Sequence, residues 1–119
     1  MVNERTGSIV ATFVEVAADS KSRRRGLLGR EGLAERHALV LAPCNAIHTC
    51  FMRFPIDVLF VARDGRVLKI VERIRAWRVA ASLRAFAAIE LPAGTLQRGA
   101  MMPGDRLVIG STKETTAPS

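Results

Sequence analysis

Tyrosine is absent from this 119-residue chain, tryptophan occurs once and cysteine twice. So few aromatic faces leave little material for base-stacking platforms. The two cysteines, Cys44 and Cys50, are too few for a disulfide scaffold, and a core of this size needs none. No apolar run is long enough to span a bilayer, and residues 1–8 contain no hydrophobic stretch of the kind that directs secretion. These absences lead us to expect a cytoplasmic protein with no membrane span. There is no internal repeat and no low-complexity linker.

What is present fits a globular protein. A hydrophobic fraction of 49% with 24% charged residues excludes wholesale disorder and collagen-like or mucin-like classes. The length suits one hydrophobic core rather than two. We expect a single domain over residues 1–119, with an ordered core from about residue 8 to 110 and a flexible tail at 111–119. The net charge of +7 comes mostly from arginine and can attract nucleic acid or anionic lipid. Its carriers are scattered, however, except for Arg23-Arg24-Arg25 and the group Arg73, Arg75, Arg78 and Arg84. With no recognisable nucleic-acid motif, a solvated arginine-rich surface explains the charge, and nucleic acid is not the expected partner.

Local patterns suggest a strand-rich fold. Residues 8–17 are β-branched and apolar with one interior charge, Glu15, and read as a strand. Asp19 and Ser20 offer capping oxygens for a short helix over 21–28, stopped by Gly29. Residues 37–42 form a second strand ended by Pro43. Pro55 has no amide hydrogen, so the central strand starts at Ile56 and runs to Ala62. Asp64-Gly65 then turns the chain into a hairpin with residues 67–74.

The hairpin register follows from charge. A two-residue loop would set Asp57 opposite Glu72, a like-charge pair that sheets disfavour. A three-residue loop with Gly65 in a left-handed bulge pairs Phe60 with Leu68, Val58 with Ile70 and Asp57 with Val71. We expect this second register, with Ile56, Val58, Phe60, Leu68 and Ile70 on one apolar face. Residues 75–86 fit neither a period of 2 nor one of 3.6 and read as a loop with some helix. A strand over 87–91 closed by Pro92, a short helix over 94–100, a turn at Pro103-Gly104-Asp105 and a last strand over 106–109 complete the chain.

Four segments then occur in a telling order: Arg25-Gly26-Leu27-Leu28-Gly29-Arg30, Pro55-Ile56-Asp57-Val58-Leu59-Phe60 with Asp64-Gly65, Glu90-Leu91-Pro92-Ala93-Gly94, and Gly104-Asp105-Arg106-Leu107. Over roughly residues 8–110 they make the chain resemble the domain-of-unknown-function 192 family. The resemblance implies an α+β fold: a compact single domain whose curled, mostly antiparallel sheet is partly barrel-like and carries two or three short helices. It implies no established activity. The commoner branch of that family reads Trp-Met-Lys-Asn-Thr where this chain has His48-Thr49-Cys50-Phe51-Met52. The context of Cys44, His48 and Met52-Arg53-Phe54-Pro55 resembles a second branch.

Three constellations carry chemistry. Cys44, His48 and Cys50 lie within seven residues and are the types that bind a soft metal, although four ligands are the norm and only His37 remains to complete a set. Small, buried apolar thiols are the alternative reading. Cys44 and His48 are also the types of a thiol nucleophile and its base, without a visible oxyanion loop or orienting third group. Asp57, with Arg53, Arg25 and Arg30, suggests a buried carboxylate that needs an arginine partner. That set reads either as an ion pair pinning helix to sheet, or as an anchor for a small anion or carboxylate in a groove beside Met52 and Trp77. The expectation is a binding or accessory module with no demonstrated catalysis and no cofactor, taking a small ligand or a protein partner. Its groove would use Arg30, His48, Met52, Arg53 and Asp57. The alternatives are a thiol- or metal-dependent hydrolase at Cys44 and His48, and a basic nucleic-acid accessory protein.

Overall fold

The computed structural model describes residues 1–109 except Leu28, Gly99 and Ala100, and the side chains of Arg23, Arg24, Arg25 and Arg98 are also outside the description. The tail expected at 111–119 and an Arg25 contact therefore lie outside the described residues, as do Leu28 and Gly99-Ala100 of the two expected helices. The chain begins with β1 (Val2–Asn3), β2 (Phe13–Ala17), α1 (Ser20–Arg25) and β3 (His37–Leu41). It continues through β4 (Ala46–His48), β5 (Ile56–Val61) and β6 (Val67–Ile74). Then follow β7 (Val79–Ala81), β8 (Ala87–Pro92), α2 (Thr95–Arg98) and β9 (Leu107–Val108).

Five strands form one sheet in the order β2-β3-β8-β5-β6, with β2 and β3 parallel and the other neighbours antiparallel. Two antiparallel ribbons, β1-β9 and β4-β7, accompany it. The class is α+β and mostly antiparallel, as the sequence implied. The sheet ends at the edge strands β2 and β6, so it is open and curled rather than a closed barrel. Among the described residues no helix is long and apolar enough to cross a membrane.

The central strand β5 is buried at every position. Leu59 and Val61 join one core with Val14, Ile89, Leu96 and Leu107. Ile56, Val58 and Phe60 join a second core with Leu39, Leu41, Ile47 and Met52. A strand covered on both faces needs no alternation, which is why this segment reads as a continuous apolar run interrupted by Asp57.

Several expectations about local structure are corrected. Helix α1 starts where Asp19 caps it, the Ser22 N–H reaching Asp19 Oδ1 at 2.8 Å. It stops at Gly26, whose N–H closes on Ser22 O at 2.9 Å, rather than at Gly29. Residues 75–86 contain no helix; Val79–Ala81 is strand β7, because pairing with β4 supplies the hydrogen bonds that a local pattern could not announce. The amino-terminal residues join the core rather than precede it. Met1 and Asn3 are buried, and β1 pairs with β9. Asp105 locks this end by accepting hydrogen bonds from Arg5, Asn3 and the Met102 N–H. The Arg5 hydrogen bond, with help from Asn3, holds the Asp105 carboxyl well below the usual carboxylate range.

The hairpin turn forms with Gly65 at φ 89, its N–H reaching Ala62 O, and Val61 faces Val67. Beyond the turn the register differs from expectation. Leu68 is an extra residue, after which Phe60 faces Lys69, Leu59 faces Ile70 and Val58 faces Val71. Continued, this register would set Asp57 against Glu72. A second irregularity between Val58 and Ile56 prevents it: Ile56 pairs with Ile74, and Asp57 receives the Arg73 N–H instead. Slipping the whole strand by one would turn every side chain of a doubly buried strand to the wrong core, so a local bulge is the cheaper solution. Ile70 accordingly packs with the Leu59 core and Val71 with the Val58 core, dividing the single face expected from sequence.

A Cβ at Gly65 would overlap Leu107 O, and its backbone lies in the left-handed region. Gly65→Ala should therefore lower stability by about 2 kcal/mol. Urea denaturation checks this; a loss within error of zero would mean the hairpin and β9 yield freely.

Candidate functional site

Two buried polar side chains shape one surface of the protein. Asp57, with no solvent exposure, accepts the Arg73 N–H at 2.8 Å through Oδ1 and the Gly94 and Leu96 N–H groups at 3.0 Å each through Oδ2. A carboxylate withdrawn from water needs such donors. Backbone supplies them here, in place of the arginine expected from sequence. Thr49, also buried, plays a matching part: its hydroxyl donates to Arg75 O and accepts the Arg78 N–H at 2.9 Å. Its carbonyl receives the Met52 and Trp77 N–H groups at 3.1 Å each.

These contacts hold residues 73–78 in a tight curl against residues 49–52. Arg36, Phe51, Arg73 and Trp77 have positive φ among the described non-glycine residues, and the last three lie in this region. Each such residue costs about 1–2 kcal/mol, and strain of this kind persists only where neighbouring contacts over-determine it. Phe51 and Trp77 pack edge to face with ring centroids 4.5 Å apart, yet are 71% and 59% exposed.

Between the two segments lies a groove of about 380 Å³ lined by Met52, Arg53, Phe54, Pro55, Arg73, Arg75 and Ala76. Its floor is apolar and its rim carries three arginines. Arg53 comes within 4.0 Å of Glu31, an almost fully exposed carboxylate, whereas Arg73 and Arg75 form no ion pair among the described residues. A second depression of about 410 Å³ runs between β6 and β7 and shares Arg73 and Arg75 with the first.

The structure divides the residues selected from sequence. Met52 and Arg53 line the groove, but Asp57 is enclosed by its three donors and faces no solvent. Arg30 is elsewhere, in a two-point contact with Glu15 at 2.9 and 3.0 Å. That hydrogen bonding lowers the Glu15 pKa and raises that of Arg30. His48 lies on the exposed side of β4, and its Nδ1 accepts the Cys50 N–H at 3.3 Å. Cys44 donates its thiol hydrogen to Ala46 O at 3.1 Å. Strand β4 ends at His48 and Cys50 begins a turn, so the extended segment that would place both on one face does not form. Among the described residues no three His, Cys, Asp or Glu side chains gather closely enough to hold a metal. The grouping of Arg73, Arg75 and Arg78 is visible in the sequence, but its place beside Arg53 is not, because that follows from the β6 bulge.

One further polar group is out of the ordinary. Glu90, on β8 between Leu39 and Val58, is 3% exposed, and its Oε1 has no hydrogen-bond partner among the described residues. Burial pushes its pKa up to about 7, against the opposing field of Arg30.

The model of the family described as DUF192, Uncharacterized ACR, matches residues 1–109. A Sinorhizobium meliloti 1021 protein described as a "putative transcription regulator" is 30% identical, with 78% of each chain covered and a TM-score of 0.72. A protein of unknown function from Novosphingobium aromaticivorans DSM 12444 shares the fold at 21% identity, with 89% of each chain covered and a TM-score of 0.73. No curated protein matches.

Proposed function

The chain belongs to the DUF192 family of uncharacterized proteins, and within it we propose that this chain is a non-catalytic binding module whose groove takes an anionic group, a carboxylate or a phosphate. The observation that carries this reading is the convergence of Arg53, Arg73 and Arg75 around an apolar floor, with the loosely held Glu31 as the nearby carboxylate. Guanidinium groups present paired donors that match the oxygens of both ligand types. Asp57 holds the backbone of Arg73, and Thr49 holds that of Arg75 and Arg78, so the arginine backbone is preset before a ligand arrives.

The test is thermal denaturation with citrate and pyrophosphate, each against chloride at matched ionic strength. Both anions should raise the melting temperature, and Arg53→Ala and Arg75→Ala should retain the parent's stability while losing most of that rise. Arg66→Ala, an exposed arginine that does not line the groove, should respond like the parent. Equal responses in all variants would sink the groove as the site.

A further inference from the structure

We infer that the ligand of this groove is a single-stranded nucleic acid, its phosphates following the arginines through both depressions and its bases stacking on Phe51 and Trp77. The inference rests on the anion-binding reading above and adds the polymer and its bases. The basic residues look scattered in sequence, but the fold gathers Arg53, Lys69, Arg73, Arg75 and Arg78 around two depressions that meet at Arg73 and Arg75. A small anion needs one such depression. Two joined end to end, with five cations, suit a chain of regularly spaced negative charges.

The aromatic pair selects among polyanions. Trp77 follows Ala76, which lines the first depression, and precedes Arg78, which lines the second; Phe51 precedes Met52 on the first. Both aromatics thus adjoin lining residues along the chain without lining a depression themselves, and they are exposed and in left-handed backbone, so ring surface is held in water at a conformational cost. An acidic peptide would supply charge without a stackable face at each unit. A duplex would supply phosphates but keep its bases stacked inside. A single strand offers both features at every nucleotide, and base–aromatic stacking tolerates any sequence. Glu72 lines neither depression, and Glu31 touches Arg53 only at 4.0 Å, so little negative charge opposes the strand.

Trp77 is the sole tryptophan, so the intrinsic fluorescence of the full chain reports on this place alone. Titration with a short oligothymidine should quench it saturably, and the logarithm of the affinity should fall against the logarithm of salt concentration with a slope of about −3.5. Arg75→Ala or Arg78→Ala should each reduce that slope by about 0.7. Phe51→Ala should weaken binding about tenfold with the slope unchanged. Absence of quenching, competition by inorganic polyphosphate or by duplex as strong as that of the oligothymidine, or equal quenching by polyglutamate would each overturn the inference, the last in favour of an acidic protein partner. If oligothymidine fails while pyrophosphate still stabilises through Arg53 and Arg75, the anion groove stands without the strand. If pyrophosphate fails as well, both readings fall together.

Discussion

Asp57→Ala is expected to lose about 4 kcal/mol of stability, a large share of the roughly 5–15 kcal/mol that holds an ordinary domain folded. The substitution removes an acceptor shared by three backbone N–H groups from two separate elements: Arg73 on β6, and Gly94 and Leu96 at the start of α2. Each buried donor left without a partner costs about 1–3 kcal/mol, partly relieved where water enters the space vacated. Asp57→Asn tests the same geometry more gently. An amide can satisfy the donors on one side but turns its own NH₂ towards those on the other, so it should fall between alanine and the parent. Arg30→Ala separates this account from the arginine partner expected from sequence. It breaks a partly exposed pair with Glu15 and should cost about 1 kcal/mol. Urea denaturation of the three variants decides the matter; if Arg30→Ala were as damaging as Asp57→Ala, the backbone account of Asp57 would be wrong.

Glu90→Gln should stabilise the protein above neutrality and flatten its dependence on pH. The Glu90 carboxyl is raised from an ordinary 4.5 to about 7 by burial, so the folded state holds its proton where the unfolded state has released it. Below about pH 4.5 both states are protonated and Glu90 is neutral in effect. As pH rises from there to about 7 the unfolded state binds fewer protons than the folded one, so stability falls, and above 7 the loss is complete. The shift corresponds to about 3 kcal/mol. Glutamine has nearly the same shape and no charge to desolvate, so most of that loss should disappear at pH 8, less the cost of a buried amide that finds few partners. Melting curves of parent and variant from pH 4 to 8 should converge at the acid end and separate progressively above pH 5. Parallel curves would show that Glu90 ionises freely in the folded state.

Elements whose controlling chemistry is local are legible in the sequence. Asp19 caps α1 through an adjacent turn, Pro55 delays β5 to Ile56, and Gly65 adopts the left-handed conformation that its turn requires. Outcomes that depend on partners distant in sequence are not legible there. The repulsion between Asp57 and Glu72 was a real constraint, but the chain met it by bulging β6 at Arg73 rather than by shifting the strand, because β5 is buried on both faces. Residues 75–86 resisted a helix or strand assignment because β7 draws its pairing from β4, more than thirty residues earlier.

The candidate site divides along the same line. Met52 and Arg53 were visible as part of a distinctive segment, but Asp57, chosen for its charge, is buried and holds only the backbone of the groove's Arg73. The amino-acid sequence alone determined the turns, the caps, the apolar segments and the ordered motifs that mark the family, since these depend on each residue's own conformational preferences and near neighbours. Tertiary structure alone decided which donors enclose Asp57, which core each face of β5 enters, and that Arg53 meets Arg73 and Arg75 across an apolar floor. Those outcomes depend on long-range packing, where burial on two faces outweighs what any local pattern can express.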